Sequence, residues 1–193
     1  MWMLVAGLTL FFAAHLIPTV PELRTRVVSV IGSRPYSGLL ALFSLAALLL
    51  IVLGYGHMEG LGRGDPQLWV PPSWTRHVTM MLMVPALILL VAAYVPSRIR
   101  TAVRHPMLTA VMLWAFGHLL ANGDLASVLL FGSFLAYAVY DIVSASQRAE
   151  FGPMGRAQGG AVQDVAAIVG GLALYALLLF WGHQKLTGVP LLP

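Results

Sequence analysis

One apolar run limits what this chain can fold into more than any other feature of its sequence. Residues 36–55, YSGLLALFSLAALLLIVLGY, contain no charged side chain. As an α-helix, about 20 residues rise about 30 Å, the thickness of the hydrocarbon core of a bilayer. Because 59% of the 193 residues are hydrophobic and only 9% are charged, too few polar side chains remain to cover a soluble domain. The sequence therefore predicts a polytopic membrane protein.

The apolar runs, and the proline, glycine and arginine residues that interrupt them, predict an all-α bundle of about six transmembrane helices. A chain of this length leaves no room for a soluble domain beside six spans, so a single domain over residues 1–193 is expected. The predicted spans are residues 2–19, 36–55, 77–95, 105–121, 125–144 and 161–182.

The distribution of positive charge predicts the orientation of the bundle. Of the 11 Lys and Arg residues, eight follow the first, third and fifth spans and three lie on the opposite side. The positive-inside rule then places both termini outside the cytoplasm. The basic residues are dispersed among loops, which suits lipid headgroups and argues against nucleic acid. The eight are Arg24, Arg26, Arg34, Arg98, Arg100, Arg104, Arg148 and Arg156, and the three are Arg63, Arg76 and Lys185.

The absence of cysteine restricts the metal chemistry open to this chain. Any metal site must use His, Met, Tyr or carboxylate ligands. Two histidines, His15 and His118, lie several residues inside apolar runs, where an ionisable side chain is costly and usually faces the bundle interior with a partner. Two interpretations follow: each imidazole forms a hydrogen bond to a neighbouring helix, or both ligate one metal ion.

The predicted depths of His15 and His118 are compatible with a shared metal. At ~1.5 Å rise per residue, their Cα atoms are offset by roughly 12 Å along the membrane normal, and two imidazole arms that bond one iron span about the same distance. A haem between them satisfies this geometry. His105, in RHPML at the start of the fourth span, is a competing partner for His15, or else a headgroup-facing residue beside Arg104.

Polar residues near the ends of the fourth and fifth spans are predicted to support such a site or to end helices. Asn122 and Asp124 flank Gly123 in LLANGD. This pattern indicates a helix stop followed by an N-cap, with a pocket-facing or histidine-orienting role as the alternative. Asp141 ends the fifth span and is predicted to pair with Arg104, because an acid at that depth needs a counter-charge.

Four segments together resemble the NnrU family of bacterial membrane proteins. They are HLIPT in the first span, RHPML and HLLANGD at the two ends of the fourth, and FGSFLAYAVYD in the fifth. The resemblance covers essentially the whole chain. It implies a multi-pass protein of the bacterial inner membrane, linked to denitrification through the production or function of nitrite and nitric oxide reductases, which would be its partners.

The family is also similar to the plant 15-cis-ζ-carotene isomerase, a membrane enzyme that binds haem b. By that similarity, His15 and His118 match the haem ligands, and in an isomerase His118 would be the exchangeable ligand acting on a polyene. The plant enzyme has a Cys three residues before its second ligand, whereas this chain has Ala115, which counts against the isomerase. The predicted function is a haem b-binding protein, with isomerase, or cofactor-free scaffold or transporter, as alternatives.

Overall fold

The structure is a computed structural model that describes residues 1–61, 65–151, 155 and 158–192, and of residues 59–61 the backbone alone. Arg63 and Arg156, which enter the count of positive charge, lie outside the described residues. Five helices in the described ranges are long and apolar enough to cross a membrane, and Pro106–Ala121 is a shorter apolar helix. The prediction of an all-helical polytopic membrane protein is confirmed.

Among the described residues, each predicted span corresponds to a helix, and three short helices lie outside the predicted spans. The largest change is in the second predicted span, residues 36–55: its helix, α3, comprises Ser33–Leu61, and Met58 in the added part is 3% exposed. The helices are α1 Trp2–Leu16 with a 3₁₀ turn Ile17–Thr19, α2 Pro21–Ile31, α3 Ser33–Leu61, α4 Thr75–Ala92, α5 Arg98–Val103, α6 Pro106–Ala121, α7 Leu125–Gln147, and α8 Ala161–Leu177, which runs through a π-helical turn Leu178–Gly182 into α9 His183–Thr187.

One compact unit comprises Met1–Trp69 and Gly123–Ser133. Inside it, α1 and α3 pack with their backbones close together at glycine. A Cβ added to Gly54 would lie 2.8 Å from the Cα of Leu4, and one added to Gly7 would lie 2.8 Å from the backbone nitrogen of Ile51. Small residues permit this close approach, and the van der Waals packing that results is one source of helix association where lipid removes the hydrophobic driving force.

The segment that precedes α7 in this unit is held by backbone and carboxylate hydrogen bonds. The N–H of Leu68 donates to the carbonyl of Gly123 at 2.7 Å. Asp124 Oδ1 accepts from the N–H of Ser127 at 2.6 Å, and Asp65 Oδ1 accepts from the N–H of Ala126 at 2.8 Å. Asp124 is therefore the N-cap of α7, as the sequence predicts, because its carboxylate satisfies an N–H that the helix leaves open.

The other unit comprises Val70–Asn122 and Phe134–Pro193, and in it α4 packs against α6 and α8. The hydroxyl of Thr79 donates to the carbonyl of Gly117 at 2.6 Å, which joins α4 to α6. A Cβ on Gly171 of α8 would lie 2.5 Å from the Cα of Ile88 in α4. Close packing and a buried interhelical hydrogen bond thus position α6, the helix that carries His118.

Candidate functional site

His15 lies in the last turn of α1 with its imidazole held against its own helix. Its Nδ1 is 2.8 Å from the carbonyl oxygen of Phe11, and its ring stacks on the Phe11 ring with the centroids 3.9 Å apart. A carbonyl oxygen only accepts hydrogen bonds, so Nδ1 must carry the proton. In the neutral form of the ring the lone pair is therefore on Nε2, the atom through which an imidazole in this tautomer ligates a metal.

His118 repeats this arrangement in the last turn of α6. Its Nδ1 is 2.8 Å from the carbonyl oxygen of Trp114, one turn earlier, and the two rings have their centroids 5.4 Å apart. The same reasoning places the proton on Nδ1 and the lone pair on Nε2. Metal-bound histidines generally donate their second ring N–H to a carbonyl or carboxylate, so both residues have the hydrogen bonding of a ligand.

His105 differs from these two because its Nε2 takes part in a bond between helices. It is 6% exposed, and Nε2 lies 3.2 Å from the hydroxyl oxygen of Ser146 in α7. That hydroxyl donates its proton to the carbonyl of Ile142 at 2.6 Å. The Ser146 oxygen must therefore accept from His105, which places the proton of the neutral ring on Nε2. This geometry gives His105 a role in joining α6 to α7.

Burial gives His105 a pH dependence that can be measured. The pKa of His105, which precedes α6, is lowered from its ordinary value: burial is the largest cause, the negative charge of Asp141 opposes it, and the positive charge of Arg104 acts with burial. An unfolded histidine binds a proton near pH 6.5, whereas the folded one does so only at lower pH. We expect the melting temperature of the detergent-solubilised protein to fall as the pH is lowered from 7.5 through about 6.5 to 5.

The control for this pH dependence is His105→Gln, which keeps an N–H donor but does not titrate. The variant should show a shallower loss of melting temperature over the same range, since the other five histidines are unchanged. Equal slopes for the two proteins would contradict the assignment of this dependence to His105.

Asp141 pairs with Arg148, and the predicted pair between Arg104 and Asp141 is wrong. The Nη2 of Arg148 is 3.3 Å from Asp141 Oδ1, and the hydroxyl of Tyr137 donates to Asp141 Oδ2 at 3.2 Å. Helix α7 continues past its predicted end at residue 144, so residue 148 follows two turns after Asp141 on the same face. The guanidinium of Arg104 instead lies 5.8 Å from the centroid of the Phe151 ring.

The end of α6 has the helix-stop geometry that the sequence predicts. The backbone N–H of Asn122 donates to the carbonyl of His118 at 2.9 Å, and the Asn122 side-chain amide donates to the same oxygen at 2.8 Å. Asn122 thus contacts the backbone of His118. A role for Asn122 or Asp124 in orienting a ligand stays a prediction. Ala115, one turn before His118, is completely buried.

Two further buried polar side chains, Ser127 and Arg100, form contacts that the sequence did not predict. Ser127, which is 0% exposed, has its hydroxyl 2.9 Å from that of Tyr55, a pair that links α7 to α3. Arg100, which is 3% exposed, donates to the carbonyls of Phe151, at 3.3 Å, and Gly155. The burial of Arg100 could not be predicted from the sequence, because its partners are main-chain carbonyls about 50 residues away.

The described residues contain no group of three or more His, Cys, Asp or Glu side chains arranged to hold a metal ion. A porphyrin supplies four nitrogen ligands itself and needs at most two from the protein. His15 and His118 each have Nδ1 already engaged, so the donor chemistry of either residue fits a ligand of haem iron better than a member of a site built from protein ligands alone.

Comparison with known proteins assigns the chain over nearly its whole length. The family model described as NnrU protein matches residues 3–191. No curated protein and no solved structure gives a significant match. The matched range includes all six histidines and, apart from residue 2, every residue of the predicted spans.

Proposed function

Because the chain belongs to the NnrU family, we propose that it is a haem b-binding membrane protein with His15 and His118 as iron ligands. The observation that carries the proposal is the tautomer of these two rings. Each Nδ1 lies 2.8 Å from a carbonyl oxygen one turn earlier in its own helix, which leaves the lone pair on Nε2. The same bond fixes the direction of the ring, as carbonyl partners do for metal-bound histidines.

Aromatic neighbours add to the positioning of both rings. Phe11 stacks on His15 at an interplanar angle of 17°, and Trp114, itself in edge contact with Phe134 at 5.7 Å, lies beside His118. These contacts restrict rotation about the side-chain bonds, so less conformational freedom is lost when a ligand binds. Haem b with histidine ligands supplies a one-electron redox centre.

The physiological part of the proposal is that the protein supports nitrite or nitric oxide reductases during denitrification, and it is supported by family membership. A deletion strain grown without oxygen on nitrate should lose nitrite or nitric oxide reductase activity, and the intact gene should restore it. Normal activity of both reductases in the deletion strain would contradict this part. The isomerase is not proposed, because the buried Ala115 provides no thiolate for the ligand exchange expected of that enzyme.

An absorption spectrum tests the haem directly. The full-length protein, produced in cells supplied with a haem precursor and purified in detergent, should show a Soret band and contain haem b in stoichiometric amount by the pyridine haemochrome assay. Two neutral histidine ligands predict a low-spin iron with sharp α and β bands on reduction. Folded protein without a Soret band would overturn the proposal and favour a cofactor-free scaffold or transporter.

A further inference from the structure

Residues Pro21–Ile31 form helix α2. Its arginines were predicted to lie in a loop between the first two spans. A single residue, Val20, separates α2 from the 3₁₀ turn that ends α1, and a single residue, Gly32, separates it from α3. Gly32 has φ of +87°, a conformation that glycine adopts without strain. Because both ends of α2 are tied directly to membrane-spanning helices, α2 lies at the depth where those spans leave the bilayer.

Four of the five Leu, Val and Ile side chains of α2 form a stripe along one side of the helix, and the half-buried Val28 lies outside it. At about 100° per residue, these four fall within an arc of about 100°. Three of these four are exposed: Leu23 at 44%, Val30 at 82% and Ile31 at 38%. The fourth, Val27, is half-buried. A stripe this exposed on a short helix requires an apolar partner outside the described contacts.

Arginines border this stripe on both sides. On the same helical projection, Arg24 falls just beyond one edge of the apolar arc and Arg26 just beyond the other, while Glu22, Thr25 and Ser29 occupy the opposite face. Both arginines are exposed. The ion pairs recorded among the described residues involve Arg98 and Arg148 instead. Two cations at the edges of an apolar stripe match the phosphates of a bilayer into which that stripe inserts.

We propose that α2 is an interfacial helix that binds the anionic phospholipid surface of the leaflet next to it. Leu23, Val30 and Ile31 insert among the upper acyl chains, and Arg24 and Arg26 donate hydrogen bonds to the lipid phosphates. Glu22 is the acidic group of α2 and lies on the polar face, away from the phosphates. The proposal is independent of haem binding.

A cysteine scan tests the location of α2, since the protein contains no cysteine of its own. Nitroxide labels are placed singly at residues 22–31 of the full-length protein in nanodiscs of phosphatidylcholine and phosphatidylglycerol. Leu23→Cys and Thr25→Cys form a matched pair, two residues apart on opposite faces. We expect the label at residue 23 to be relaxed by oxygen and the label at residue 25 by a nickel chelate, with a period near 3.6 over the scan.

Two results would overturn the location. Uniform access to the nickel chelate means a solvated helix, and protection of the apolar face from both reagents means a covering protein partner. Every variant labelled at a position other than 24 or 26 keeps both arginines in place, so these variants test the location without altering the basic residues.

A lipid titration tests the preference for anionic headgroups. The mobility of the label at residue 23 is followed as the fraction of phosphatidylglycerol rises, and it should fall to a plateau. Arg24→Gln should move the midpoint to an anionic fraction about fivefold higher, since one arginine near an anionic surface contributes about that factor. Lys185→Gln, which removes one positive charge outside α2, is the matched control and should leave the midpoint unchanged. Mobility that does not depend on phosphatidylglycerol would overturn the preference.

Discussion

Replacing His118 with alanine is expected to lower the haem content of the purified protein at least tenfold. The substitution removes the imidazole whose Nδ1 lies 2.8 Å from the carbonyl oxygen of Trp114, and with it the Nε2 atom proposed as the iron ligand. Loss of a group that merely supports a metal ligand typically costs 10–100-fold in metal affinity, and removal of the ligand itself should cost no less. The measurement is the ratio of Soret to protein absorbance, with the haemochrome assay as a second readout.

The matched control is His57→Ala, the same chemical change at an exposed histidine of α3. It should retain the haem content of the original protein. His15→Ala is expected to lower haem content as His118→Ala does, and where some haem remains, to shift the Soret band as the iron loses one strong-field ligand. A His118→Ala protein that folds, as judged by circular dichroism, and keeps an unchanged spectrum would remove His118 from the ligands.

The second large effect concerns stability: Gly54→Ala is expected to lower the free energy of unfolding by about 1–3 kcal/mol or more. The added methyl would lie 2.8 Å from the Cα of Leu4 and 2.9 Å from the backbone carbon of Met3. Because these are backbone atoms, no side chain can rotate away, and α1 itself must shift. Leu4 is 0% exposed, so the shift disturbs the packed interior of this unit.

Gly56→Ala, two residues later in the same helix, is the control for this effect. A Cβ added at Gly56 meets no atom within 4 Å. It should therefore be neutral, or stabilising by up to about 1 kcal/mol through the higher helix propensity of alanine. Unfolding by sodium dodecyl sulfate in mixed micelles, followed by circular dichroism, compares the two proteins. Equal unfolding curves would contradict the close packing of α1 on α3.

The spans could be predicted because hydropathy is a local property, whereas one side-chain pairing was missed because it depends on where a helix ends. Residues 125–144 are apolar enough to indicate a span, but hydrogen bonding continues α7 to Gln147. That extra turn brings Arg148 within 3.3 Å of Asp141. Sequence reasoning, which ended the helix earlier, assigned Arg104 to this carboxylate.

Helix α2 was missed for a related reason. It is 11 residues long and not apolar enough to span a membrane, so its arginines indicated a loop. Its apolar and basic residues sort onto separate faces only when the segment is placed on a helix of 3.6 residues per turn. The separation of apolar and basic faces in α2 is therefore apparent only once the segment is known to be helical.

By itself, the sequence determined the membrane class, the six apolar helices and the two histidines inside apolar runs, and it indicated Asp124 as an N-cap with another role as the alternative. Each follows from local composition or spacing, because an apolar segment in a bilayer must form a helix to satisfy its backbone hydrogen bonds. Only the tertiary structure decided that Nδ1 of His15 and of His118 donates to its own helix, whereas Nε2 of His105 donates to Ser146. The tautomer of an imidazole depends on which acceptor lies within about 3 Å, and that is a property of the folded chain.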